Sequence, residues 1–425
     1  MTQTPMRIDV LIWLPSETEP AFAGQILSNK MGASFRYDPG YLGHKKAISI
    51  YGNDLKMNMH RLDMGAAGVI APSLRDALPD RWGRRAIAAG LNVSGGAPLS
   101  EDQISDLTLM LHTGPDRIGA FDFRLADQAP PVESGDGATL EELMDLADLI
   151  EEGGAVPTDL GHLIPQVASV GGARPKSLFT DTKKRRKFIA KFTAMNDTYP
   201  VVATEFVAMR LAAYAGINVA SVEIAKIGQR EVLLVERFDR TALPTGGWGR
   251  KAMVSALTWT HETELSAHHI SYQQLAETIT DGFEEAAVAH KELFTRLAFN
   301  ILVGNTDDHA RNHAAFWDGA THELTPAYDI APQRRASREA NQAMVISDGS
   351  RASQLRNASA VAHHFGLSES MTCQIYDRLI AAIMDNWAEV CDEAGLTRYE
   401  SDTLAGRQFL NAYAFDGQRS VPRLP

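Results

Sequence analysis

Leu293, Phe294, Leu297, Ala298, Ile301 and Leu302 recur at helical spacing, and the run is cut off by Gly304 and followed at once by Asn305-Thr-Asp-Asp-His-Ala-Arg-Asn312. The pattern predicts an apolar helix that stops at the glycine and delivers a short polar loop. Two aspartates, a histidine and an asparagine are costly neighbours for such a helix unless they are used. Asp307 and Asn312 stand five positions apart. That spacing puts a proton acceptor and a metal ligand on one loop, as phosphoryl transfer requires. Asp329 follows an apolar, strand-like lead from Leu324 to Tyr328 and stands where a main magnesium ligand is expected.

Nucleotide-holding parts lie upstream in a consistent order. Ser169-Val-Gly-Gly-Ala-Arg-Pro-Lys176 is a small-residue loop, in which Gly171 and Gly172 can take positive φ and let backbone N–H groups approach phosphate oxygens. Phe188-Ile-Ala-Lys191-Phe192 has strand character and projects Lys191 to one face. Thr204-Glu205-Phe206 opens a helical stretch that stops at Gly216, and Glu205 is a candidate partner for Lys191. Glu231 to Glu236 reads as a buried strand running through Arg237 and Phe238 to Asp239, where a hinge would offer backbone groups to adenine. Taken singly, each part has a plainer reading: an ordinary turn, a solvated lysine, a first-turn helix glutamate favoured by the dipole. The order in which they occur is what argues for one nucleotide site.

These residues resemble the HipA-type serine/threonine kinases, the toxin halves of bacterial toxin–antitoxin pairs. The resemblance rests on Ser169–Lys176, Val235-Glu-Arg-Phe-Asp-Arg240, Thr306–Asn312 and Leu324–Asp329. Phe35–Leu42, Leu78-Pro-Asp-Arg-Trp-Gly83 and Gly119–Phe123 add to it. It implies an α+β, two-lobed protein-kinase-like fold with a strand-rich nucleotide lobe, a helical C-lobe and an additional N-terminal α/β subdomain. The expected boundaries are 1–125 for that subdomain, 126–159 for a connector with a short helix, 160–245 for the nucleotide lobe and 246–425 for the helical lobe. The resemblance further implies that Asp307 is the catalytic base, that Asn312 and Asp329 bind Mg2+, and that Lys191 contacts the ATP phosphates. Gly171, Gly172, Ala173, Arg174, Pro175 and Lys176 would form a mobile phosphate loop. Glu236, Arg237 and Phe238 would meet adenine, and His309 and Tyr328 would line the nucleotide site. Ser169 matches the serine that such kinases autophosphorylate, and a phosphate there, carrying about −1.5 to −2 charge, would repel ATP. The plainer role for Ser169 is to cap or turn the loop. Two departures stand out: Asp308 replaces a small residue and Arg311 a lysine.

The implied partners are a protein substrate, with an aminoacyl-tRNA synthetase suggested, and a small helix-turn-helix DNA-binding antitoxin, so that DNA is met only through the antitoxin. A net charge of −12 argues against a broad nucleic-acid face on this chain and suits a basic partner. The basic run Lys183-Lys-Arg-Arg-Lys187 reads as a solvated hairpin turn. A composition of 44% hydrophobic and 22% charged residues is that of an ordinary globular protein. Two cysteines, Cys373 and Cys391, and no CxxC pair fit a reduced cytoplasm, and Val10–Leu14 is too short for a signal core or a membrane span.

Further expectations are strands at Ile8–Trp13 and Lys46–Tyr51, a helix around Trp82–Ala89, and an acidic Pro/Gly connector at Asp127–Gly137. Thr139 and Glu142 form a capping box before a short helix, and Phe415–Pro425 reads as a loose tail. Three rival functions remain at this stage. A small-molecule kinase would use the same parts. A metallohydrolase could be built on Asp307, Asp308, His309 and His313, with the two histidines on one helix face. A kinase-fold scaffold or co-repressor would hold a DNA-binding partner without catalysis.

Overall fold

The computed structural model describes residues 6–29, 32–52, 54–65, 70–93, 100–126, 137–194, 197–335, 337–416 and 420–424. The connector expected from Asp127 to Gly137 lies, up to residue 136, outside the described residues. Two compact units are present: Met1–Asn196 with Lys226–Val254 and Phe316–Ala320, and Asp197–Ala225 with Ser255–Ala315 and Thr321–Pro425.

The first unit opens with a five-stranded sheet of β1 (Met6–Ile12), β2 (Ala21–Asn29), β3 (Gly32–Tyr37), β4 (Leu62–Gly65) and β5 (Phe121–Leu125), in the order β4-β3-β2-β1-β5. Alternation drives it: Ile8, Val10 and Ile12 are fully buried on one face of β1, as the period of two requires. Gly24 lets β2 and β3 close up, since a Cβ there would stand 2.2 Å from the Arg36 carbonyl.

The expected strand at Lys46–Tyr51 does not form. Its backbone groups are captured by side chains instead. The Tyr41 hydroxyl donates to the Ile48 carbonyl at 2.7 Å, the Tyr37 hydroxyl accepts from Ile50 N–H at 2.9 Å, and the Trp317 indole donates to the Ser49 carbonyl at 2.9 Å. A segment satisfied this way has no need of a neighbouring strand.

A second sheet in the same unit carries β6 (Lys176–Asp181), β7 (Arg186–Phe192) and β8 (Arg230–Glu236), all antiparallel, with Lys176 opposite Lys191 and Phe188 opposite Glu236. Of the basic run, Lys183 to Arg185 occupy the exposed turn, whereas Arg186 and Lys187 enter β7. Lys187 is buried because Asp116 takes its ammonium at 2.6 Å, so the solvated reading fails there. Helices α1 (Arg81–Val93), α2 (Leu140–Glu151) and α3 (Ile164–Ala168) belong to this unit. The Thr139–Glu142 capping box is present at α2, and Leu143, Leu146, Ala147 and Ile150 form its buried stripe.

The second unit is mainly helical, with α4 (Val201–Tyr214), α5 (Tyr272–Gly282), α6 (Ala286–Val303) and α7 (Glu369–Glu393). Helix α4 starts before Thr204, whose hydroxyl donates back to the Pro200 carbonyl at 2.7 Å. Glu205 therefore sits one turn inside and is buried, rather than in the first turn. The lead into Asp329 is a strand only at His322–Leu324. Beyond it the chain runs extended, with Ala327 exchanging hydrogen bonds with Asn218 and Ala220. The tail begins later than expected, because Phe415 is buried in a short turn at Ala412–Phe415 that Asn411 caps. Among the described residues no helix is long and apolar enough to cross a membrane.

Candidate active site

In the second unit, α6 ends as its sequence predicts: Gly304 takes φ 72°, and a Cβ there would meet the Gln408 carbonyl at 2.8 Å. The polar loop that follows is folded on itself. Asn305 donates its side-chain amide to Asn300 at 3.0 Å. The Asp307 carbonyl accepts from the Asn312 side-chain amide at 3.1 Å and from His309 N–H at 2.9 Å. Asn312 is buried, and with its amide nitrogen committed, its Oδ1 is the atom left to coordinate a hard cation.

Asp307 itself is exposed. Its carboxyl is raised above the ordinary value, first by partial desolvation and then by the charges of Asp329 and Asp308, while His309 opposes the rise. Asp329 is half-buried and holds φ 57°, a left-handed conformation that a non-glycine residue keeps only where its surroundings impose it. Its carbonyl accepts from Ala331 N–H at 3.0 Å. Tyr328 donates its hydroxyl to the Arg311 carbonyl at 2.7 Å, which ties the Leu324–Asp329 segment to the Asn305–Asn312 loop.

Asp308 turns the other way. Its buried carboxylate accepts from the Tyr272 hydroxyl at the start of α5 and lies 3.0 Å from Nε2 of His313. Burial pushes this carboxyl up, but His313 and Tyr272 outweigh it and hold it below the usual range. The replacement of a small residue by Asp308 thus anchors the loop to α5, a role that neither Tyr272 nor His313 announces in the sequence. The metallohydrolase arrangement is not assembled. His309 and His313 flank a single tight turn, Ala310–Asn312, and share no helix face, and Asp308 is already committed. Among the described residues no group of three or more His, Cys, Asp or Glu side chains is placed to hold a metal.

In the first unit, Ser169 closes α3 and is 1% exposed. Its hydroxyl donates to the Pro165 carbonyl at 2.5 Å and accepts from Gly114 N–H at 3.0 Å. In this conformation it caps, and its buried hydroxyl cannot attack a phosphoryl donor. Gly172 holds φ 105°, in the region that favours glycine. Its N–H is not open to a ligand, because Oδ2 of Asp80 accepts it at 3.0 Å. Ala173 and Arg174 are the exposed part of the loop, and Pro175 and Lys176 are buried. Lys191 is half-buried in β7.

At the expected hinge, Glu236 takes Arg186 with both carboxylate oxygens, at 3.0 and 2.6 Å. Arg237 commits its N–H and its side chain within the fold. Its N–H donates to the Lys187 carbonyl at 2.8 Å, and its buried guanidinium bonds Asp239 and the carbonyls of Asp116 and Arg117. Asp116 gathers Lys187, Arg240 and Arg237 at 2.6, 2.9 and 3.2 Å. Burial raises the Asp239 carboxyl, yet Arg237 and Arg240 bring it down to about 2. Phe238 stacks edge-on against Phe316, with ring centroids 5.9 Å apart.

Residues 168–387 match the HipA-like C-terminal domain and residues 16–124 match the HipA N-terminal domain. The chain belongs to the HipA-like family. It is 26% identical over 293 residues to the serine/threonine-protein kinase toxin HipA of Shewanella oneidensis, covering 63% of this chain and 64% of that one. It is also 26% identical over 280 residues to the putative kinase Y4mE of Sinorhizobium fredii, covering 61% and 63%. The chain thus spans a little under two thirds of the length of these relatives. Its α+β fold matches that of a chain in the solved complex of Shewanella oneidensis HipA, HipB and operator DNA. The TM-score is 0.69 at 21% identity, over 94% of this chain and 96% of that one.

Proposed function

We propose that this chain is a HipA-like toxin kinase that transfers the γ-phosphoryl group of ATP to a serine or threonine hydroxyl of a protein. The observation that carries the reading is the loop Asn305–Asn312. Asp307 presents an accessible carboxyl while the Asn312 amide grips its carbonyl, so that a base and a metal-ligating oxygen are held on one short segment. Asp307 orients the substrate hydroxyl and accepts its proton, a contribution typically worth about 10²–10⁴-fold. Its raised carboxyl makes it a better proton acceptor than an ordinary aspartate. Asn312 Oδ1 and the Asp329 carboxylate are hard oxygen donors that suit Mg2+, which usually takes one or two protein oxygens beside substrate phosphates. When bound, that ion neutralises charge on the phosphates. Lys191 anchors the phosphates as a fixed cation, and Glu236 and Phe238 offer backbone groups to adenine.

Ser169 is the proposed site of autophosphorylation and self-inhibition. Its burial as the cap of α3 means that α3 must release it first, and a phosphoserine could not return to a pocket made for a neutral hydroxyl. The proposed setting is the cytoplasm. The proposed partner is a small DNA-binding antitoxin, by analogy with the HipB in the solved complex, and the proposed outcome is growth arrest through an essential protein substrate such as an aminoacyl-tRNA synthetase.

Labelled γ-phosphate from Mg·ATP tests the reading, with the purified chain compared against Asp307→Ala and Ser169→Ala by mass spectrometry. Label on Ser169 that disappears in both variants is the expected result. ATP binding without label on any protein would move the function to a small molecule or a scaffold.

A further inference from the structure

The glycine loop is clasped from a distant part of the same unit. Asp80 and Trp82 lie in Leu78-Pro-Asp-Arg-Trp-Gly83, at the start of α1 and about ninety positions upstream of the loop. The Asp80 carboxylate accepts Gly172 N–H at 3.0 Å, and Trp82 N–H donates to the Gly172 carbonyl at 2.9 Å. Both backbone groups of Gly172 are thus paired with one three-residue stretch. The Trp82 indole then donates to the Lys176 carbonyl at 2.9 Å, where the loop enters β6. The Asp80 carbonyl accepts Arg84 N–H at 3.0 Å, so the clasp is itself fixed to α1.

The two glycines fit this clasp closely. A Cβ on Gly171 would stand 2.8 Å from Oδ2 of Asp80, and one on Gly172 would stand 2.3 Å from Nζ of Lys176. Side chains at these positions would displace the ends of Asp80 and Lys176, and at Gly172 the positive φ adds backbone strain.

We infer that Asp80 is a positioning residue of the phosphate loop: it anchors Gly172 so that the exposed amides beyond it are held ready for phosphate oxygens. The consequence for catalysis rests on the kinase reading. A carboxylate hydrogen bond to a backbone N–H is charge-assisted and roughly twice as strong as a neutral one. A loop held in place loses little freedom when a ligand arrives, which favours binding. Gly172 is accordingly an anchor, and its N–H is not one of the phosphate donors.

The test uses the full chain with Asp80→Ala and Asp80→Asn, read by amide hydrogen exchange over Val170–Lys176 without nucleotide and by KM and kcat for Mg·ATP. Asp80→Ala should speed exchange across the loop and raise KM by about 10-fold, the effect of losing one such bond, with kcat changed less than about 2-fold. Asp80→Asn, which keeps an acceptor without its charge, should fall between. Unchanged exchange in Asp80→Ala would overturn the clasp. Faster exchange with KM unchanged would overturn the positioning role, and a lowered KM would overturn it and make Asp80 a competitor of ATP. Absence of any phosphoryl transfer by the unaltered chain would count against the kinase reading alone, since the exchange comparison still decides the clasp.

Discussion

Replacing Asp116 by alanine should destabilise the first unit far more than removing an ion pair of the same length elsewhere. Asp116 and Lys187 are 2.6 Å apart, and so are Glu17 and Lys46, but the side-chain exposures are 23% and 9% for the first pair against 45% and 62% for the second. Asp116 also serves Arg237 and Arg240, whose side chains are each 1% exposed. Without it, three cations crowd together with Asp239 and backbone carbonyls as the acceptors left to Arg237 and Arg240. Breaking a buried pair from one side costs about 3–5 kcal/mol. The residual exposure of Asp116 argues for the lower end, about 3 kcal/mol. For a unit of 150–250 residues that corresponds to roughly 6–12 °C in Tm. Glu17→Ala should leave the midpoint where it is, because exposed pairs are screened and mobile. The pH dependence follows from the same cluster. Burial raises the Asp116 carboxyl, but Arg237, Arg240 and Lys187 together drive it far below the carboxylate range. Its stabilisation is therefore complete above the unfolded value of about 4 and is lost as pH falls below it toward the folded value. Urea titrations of the wild type, Asp116→Ala and Glu17→Ala at pH 7 and at about pH 3 measure all of this. Equal losses for the two variants at pH 7, or an acid slope that Asp116→Ala leaves intact, would refute the reasoning.

Asp308→Ala should cost about 3 kcal/mol by stranding the Tyr272 hydroxyl and His313 in the interior, and it should lower kcat more than it raises KM for ATP. A loss confined to stability, with kcat intact, would count against the anchoring of the loop. Gly304→Ala forces a side chain into a left-handed position against the Gln408 carbonyl, and should lose about 1–3 kcal/mol in thermal or urea unfolding. Asp307 must be ionised to act as a base, and its carboxyl is raised. The acid limb of kcat/KM should therefore lie above the ordinary aspartate value of about 3.9, and a limb at or below that value would contradict the assignment.

The elements that could be read from the sequence are those written in local pattern. The helix ending at Gly304 declares itself by 3.6-residue periodicity and a left-handed stop, and the α2 capping box by a three-residue spacing. The strands that carry Lys191 and end at Glu236 could be read for the same reason. What escaped was set by partners far away in the chain. The Lys46–Tyr51 segment alternates like a strand, yet two tyrosine hydroxyls and an indole take its backbone. Lys187 looked solvated inside a basic run because its partner lies 71 positions upstream. The burial of the Arg237 side chain is not legible locally, because its partners Asp116 and Arg117 lie more than a hundred positions away. Asp308 stood out as a departure from a pattern, but only the fold supplies the Tyr272 that explains it.

One short stretch, Thr113–Gly119, shows how the residues that match the HipA N-terminal domain bear on the glycine loop and on Arg237–Arg250 in the first unit. Gly114 donates its N–H to Ser169 at the root of the glycine loop, the Pro115 carbonyl accepts from Arg250, and Asp116 and Arg117 hold Arg237. Gly119 closes the set by donating to Asp239 at 2.8 Å and accepting from Arg240 at 2.8 Å. All of these donors and acceptors belong to residues 16–124 on one side and 168–387 on the other. A C-terminal domain expressed alone would therefore expose Arg237, Arg240 and Arg250 without the carboxylate and carbonyls that neutralise them, and would leave Ser169 without the donor that keeps it folded inward. Residues 114–119 thus act as counter-charge and clamp for Ser169, Arg237, Arg240 and Arg250. A perturbation of Thr113–Gly119 should accordingly be felt at the glycine loop and at Arg237–Arg240 together.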